Sequence, residues 1–92
     1  FNKIKAPREV SELKVFPNPT SCAVQIDFAY EGVMPVKVYS PDGRLERELS
    51  VRFAGNRGFL NLDGLANGLH IIVGFKGEKE RFFERKVVVQ AN

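Results

Sequence analysis

Side chains of an extended chain alternate between two faces, and a period of two runs through most of this sequence. Its longest apolar stretch is Asn67-Gly68-Leu69-His70-Ile71-Ile72-Val73-Gly74-Phe75, with Leu69, Ile71, Val73 and Phe75 on one face and Ile72 on the other. β-Branched residues closed by an aromatic suit a pleated, buried surface, and Asn67-Gly68 supplies a tight turn into it. This pattern predicts a central strand, with Ile71 buried. Ala23 to Tyr30 alternates most cleanly, placing Val24, Ile26, Phe28 and Tyr30 together. Pro35 to Ser40 predicts a strand with Val36 and Val38 inward. Leu45, Leu49, Val51 and Phe53 share a face of the next, where Arg47 calls for a bulge or a snorkelling stem. Short strands are expected at Leu13 to Phe16 and at Phe59 to Leu62. A last one, from about Glu80 to Gln90, carries Phe83, Val87 and Val89 on one face and Phe82 and Val88 on the other.

Turn residues separate these runs. Pro17-Asn18-Pro19-Thr20 ends the first strand, because proline cannot donate to a ladder. Ser40-Pro41-Asp42-Gly43 fits a type I turn with Gly43 in the left-handed position of a bulged hairpin. Gly68 and Gly77 read as further turn glycines. Seven short strands without a helical period predict an all-β fold, an antiparallel β-sandwich.

Length and charge narrow the picture further. Ninety-two residues make one domain, and no apolar run reaches the roughly 20 residues of a membrane-spanning helix. Residues 1–12 show no clean period and read as a linker or arm, with the domain over 13–92. The chain opens on Phe1 without Met, as expected of a piece of a longer protein. The net charge of +3 is concentrated at both ends, with bases and acids alternating. A nucleic-acid partner would call for a denser basic stripe with exposed aromatics, so nucleic acid is not expected. Cys22 stands alone, so no disulfide forms within the chain, and it reads as a small, partly buried residue beside a turn.

Chemistry finds little support. One histidine, His70, and one distant cysteine do not make a metal site, and no cofactor is expected. His70 reads as a strand residue in an aromatic position. Ser40, His70 and Asp42 form a triad only on paper, since nothing signals a strained elbow or an oxyanion hole. Asp42 reads as a turn residue bonding its own backbone. Arg44 reads equally as a partner contact or a structural ion pair. The last strand is expected near a sheet edge, with Arg81, Arg85 and Lys86 forming a basic rim that an acidic partner would meet.

Three stretches carry a resemblance: LKVFPNPTS at Leu13 to Ser21, VKVYSPDGRL at Val36 to Leu45, and LDGLANGLHIIVGFKGEKERFFERKVVV at Leu62 to Val89. Together they resemble the type A C-terminal sorting domain of the type IX secretion system of Bacteroidetes-type bacteria. Pro17, Asn18 and Pro19 match its opening turn, and Tyr39, Asp42, Gly43 and Arg44 match its middle motif. Leu65, Gly68, Ile72, Gly77, Lys86 and Val87 to Val89 fit its closing one. Ala66 stands where the family commonly has Pro, and His70 where it commonly has Tyr.

The resemblance implies an immunoglobulin-like sandwich that is a sorting signal and not an enzyme. It would direct a covalently attached upstream passenger from the periplasm through the outer membrane, to the cell surface or the medium. The implied partners are the type IX translocon and a sortase, which removes the domain within Phe1 to Glu12 and joins the passenger to lipopolysaccharide. Recognition is expected at Arg44, Arg81, Arg85, Lys86 and Val87 to Val89. Two alternatives use the same fold: an adhesion module, for which Tyr30 with Glu31 or Tyr39 with Asp42 would be the glycan contacts, and a retained domain docking its parent into a surface complex.

Overall fold

The computed structural model describes residues 13–77 and 79–90; the expected arm at 1–12 lies outside them. Among the described residues the order is β1 (Lys14–Phe16), β2 (Ala23–Asp27), β3 (Gly32–Tyr39), β4 (Leu45–Phe53), β5 (Arg57–Asn61), β6 (Gly68–Lys76) and β7 (Glu80–Val89). One antiparallel sheet runs β1-β2-β5 and the other β4-β3-β6-β7. The protein is thus the expected all-β sandwich, and β6 is an interior strand.

The two inner faces meet in one core. Val24, Ile26, Leu60 and Leu62 come from the smaller sheet's side. Met34, Val36, Val38, Val51, Phe53, Ile72, Phe83, Val87 and Val89 come from the larger. Phe28 and Tyr30, just past β2, close it with edge-on rings: Phe28 against Phe82 and Phe83, Tyr30 against Phe53 and Phe82. Such ring pairs add to the burial of their area.

Three strands depart from the simple alternation. In β6 the core-facing residues are His70, Ile72 and Gly74, so the richer apolar face looks outward. Ile72 is fully buried, Leu69 is 37% exposed, and Ile71 is only half-buried, contrary to the expectation for it. The reason lies at Gly74, where a Cβ would fall 2.6 Å from the Phe83 ring and 2.7 Å from Met34 Sδ. Neighbouring strands supply the bulk that β6 omits. In β7 a register shift opposite Gly74 and Phe75 turns both Phe82 and Phe83 toward the core side, where one face each was expected. In β4 a shift opposite Val38 and Tyr39 places Leu45 outside, 47% exposed, away from Val51 and Phe53. Arg47, half-buried on the other side of that shift, donates from its guanidinium to the Asn61 carbonyl at 3.1 Å.

Candidate functional site

The register of the larger sheet gathers most motif residues at one end. Tyr39 lies opposite Ile71, and Gly68 opposite Val89, so the hairpin over residues 40–44, the entry to β6 and the end of β7 are neighbours. Gly77 and Arg81 sit at the other end, beside Lys76 and Phe75.

The hairpin is built as expected. Gly43 N–H donates to the Ser40 carbonyl at 2.9 Å, and Gly43 takes φ 91°. Ser40, itself buried, receives the Arg44 N–H on Oγ at 3.1 Å and donates its own N–H to the Arg44 carbonyl at 2.8 Å. Its hydroxyl donates to Asp42, and with the Arg44 backbone and charge this holds the Asp42 carboxyl below its ordinary range. The Arg44 side chain remains exposed at the tip.

His70 is buried, with Nδ1 facing the Glu46 carboxylate at 2.5 Å and Nε2 facing the Ala66 carbonyl at 2.7 Å. It ties β4 to the loop before β6, which satisfies its polar atoms. Ser40, Asp42 and His70 therefore do not converge as a triad: the hydroxyl serves Asp42, and the imidazole serves Glu46 and Ala66. Of the glycan pairs, the Tyr30 ring packs between Phe53 and Phe82, and the Glu31 carboxylate accepts the Asn56 N–H at 2.8 Å. Tyr39 is half-buried on the outer face of the sheet. Cys22 is exposed, where a partly buried position was expected.

The β7 edge is where the remaining expected residues meet. Val87 and Val89 are core, while Val88 points outward at 37% exposure. Arg81 pairs with Glu84 at 2.7 Å, and Lys86 is exposed. Arg85, also exposed, reaches across the open side of the sandwich and donates to the carbonyl of Leu13, just before β1, at 3.1 Å.

An edge strand offers free N–H and C=O groups, but the end of β7 is covered. Thr20 makes a parallel bridge with Val89, donating to the Val88 carbonyl at 2.9 Å and accepting the Gln90 N–H at 2.7 Å. One step earlier, the Asn18 side-chain amide donates to the Lys86 carbonyl at 3.2 Å and accepts the Val88 N–H at 2.9 Å. Pro17 and Pro19, exposed on either side, follow cis peptide bonds. The opening motif is thus an edge cover for the closing one.

Beyond Asn18 a groove of about 650 Å³ opens between β1 and the Glu84–Lys86 stretch of β7. Sequence reasoning missed both the cover and the groove. A usable signal was present: Phe16 and Asn18 each precede a proline, which biases both toward extended backbone.

A search of curated proteins and one of solved structures return no match to the chain. A family model described as the secretion system C-terminal sorting domain matches residues 14–90, spanning every strand of both sheets and the covered edge. The chain belongs to that family, the C-terminal sorting domains of type IX secretion.

Proposed function

We propose that this domain carries an upstream passenger, delivered first to the periplasm, through the outer membrane by engaging the type IX translocon. The family match over residues 14–90 is the observation that carries the reading, since that family sorts cargo to the surface or the medium. On this reading a sortase then removes the domain by cutting within Phe1 to Glu12 and joins the passenger to lipopolysaccharide. Recognition falls on groups that the fold leaves accessible: Arg44 at the hairpin tip, Arg81, Arg85 and Lys86 on β7, and Val88 among the three closing valines. Val87 and Val89 contribute by fixing the strand, because both are buried in the core. The turns at Pro17-Asn18-Pro19, Asp42-Gly43, Gly68 and Gly77 set the shape that is read.

The test is a fusion of residues 1–92 behind a periplasmic reporter in a host with a working type IX system. The expected result is reporter on the surface or in the medium. A reporter that stays in the periplasm although the domain is folded overturns the reading.

A further inference from the structure

The covered part of the β7 edge shows what the uncovered part is shaped to take. In a parallel pair, a residue donates to the carbonyl before its opposite number and accepts from the N–H after it. Thr20 does this around Val89, through Val88 and Gln90. The Asn18 amide repeats the pattern around Val87, through Lys86 and Val88. Backbone groups alternate sides along a strand, so the next rung, around Arg85, offers the Glu84 carbonyl and the Lys86 N–H. Both face the groove between β1 and β7.

We propose that this groove takes an extended segment of a protein partner as a further parallel strand on β7, with an apolar residue opposite Arg85 followed by an acidic one opposite Lys86. Stacked sheets stand about 10 Å apart, which leaves room for one strand between their edges. A side chain pointing inward opposite Arg85 meets Leu13, Val15 and the stem of Arg85, whose guanidinium already holds the Leu13 carbonyl. The following side chain points outward beside Lys86, where a carboxylate complements the ammonium. Glu84 does not oppose it strongly, because Arg81 neutralises it at 2.7 Å. Residues 1–12 are the weaker occupant on charge, since Lys3, Lys5 and Arg8 outnumber Glu9 and Glu12. That the partner belongs to the secretion machinery rests on the sorting reading; the chemistry of the groove does not.

The experiment uses residues 1–92, labelled for amide exchange by NMR, and three acetylated, amidated peptides. These are TVEVET, its counterpart TVKVKT, and TVEVET with its backbone nitrogens methylated. In the free protein the Lys86 amide exchanges quickly, while the Val88 amide, held by Asn18, is protected. TVEVET slows exchange at Lys86 about tenfold or more, and each of the other peptides binds at least about tenfold more weakly, as lost charge or lost backbone bonding requires. Lys86→Glu reverses the preference toward TVKVKT, and a protected Val88 amide in that variant certifies the fold. Equal binding of the peptides, or protection mapping elsewhere, overturns the inference. So does a Lys86 amide already protected in the free chain, which would mean that the chain fills its own groove. Export of the reporter without peptide binding removes the groove and leaves the sorting reading. Peptide binding with the reporter held in the periplasm does the reverse.

Discussion

The two faces of β6 use opposite residues. Its inner face holds one large aliphatic group, Ile72, between a histidine and a bare glycine; its outer face holds Leu69, Ile71, Val73 and Phe75. Yet Ile72 is the one sealed in the core between the sheets, and Gly74 is buried under Phe83 and Met34. On the outer face burial is uneven. Val73 and Phe75 are covered, with the Lys37 ammonium 5.0 Å from the Phe75 ring centre, while Leu69 and Ile71 are partly open. Burial at a position is set by what the adjoining strands bring to it, more than by how apolar its own face is.

The largest effect that sharpens this contrast is at Ile72. Ile72→Ala should cost about 2 to 5 kcal/mol in chemical denaturation, because it opens a cavity between two rigid sheets. Ile71→Ala, one residue away on the open face, should cost about 1 kcal/mol, since only part of its area leaves water on folding. Equal costs, or the reverse order, would break the assignment of the faces. Gly74→Ala comes next, at about 1 to 3 kcal/mol, for the added methyl lands on the Phe83 ring and the Met34 sulfur. An alanine there that left the melting temperature unchanged would mean that Phe83 does not lie over β6.

Smaller effects belong to two carboxyls, Asp27 at the end of β2 and Asp42 in the hairpin turn. Gln25, the largest influence, and Arg57 lower the Asp27 carboxyl, while Ser40 leads in lowering that of Asp42. A depressed folded pKa contributes stability that is complete above the unfolded value, about 4 for Asp, and is lost as pH falls through the lowered one. Asp42→Asn should therefore lower stability slightly near neutrality, where the ionised carboxyl contributes in full, and flatten the profile below about pH 4. A slope that survives both Asp27→Asn and Asp42→Asn would assign acid sensitivity to other carboxyls.

Much of this was legible in the chain. The alternation at Val24, Ile26, Phe28 and Tyr30 located β2 and its core face, because each face of that strand has a uniform character. Ser40-Pro41-Asp42-Gly43 located the hairpin and its left-handed glycine from turn chemistry alone. Period-two reading failed where a bulge intervenes, at Leu45 and at Phe82, since one extra residue reverses every assignment beyond it. It failed at β6 for another reason: a glycine scores as nothing in a hydrophobic pattern, yet it is where two partners pack closest. The edge cover was hidden because a side-chain amide there does the work of a backbone. Arg85 and Lys86 were readable as exposed cations on β7; that Arg85 reaches the segment before β1 was not, since nothing local encodes it.

β7 joins the two themes, with buried valines that hold the fold and exposed cations that the fold can spare. On the proposed reading, stability and recognition on this strand are carried by different residues. Arg85→Ala combined with Lys86→Ala tests that claim in one variant, by chemical denaturation of the domain and surface delivery of a fused reporter. Loss of two exposed charges, one of them bonded to the Leu13 carbonyl, should change stability by under about 1 kcal/mol. Delivery should fall clearly at that near-native stability. Full delivery, or a loss of delivery that merely follows a loss of folding, would contradict the account.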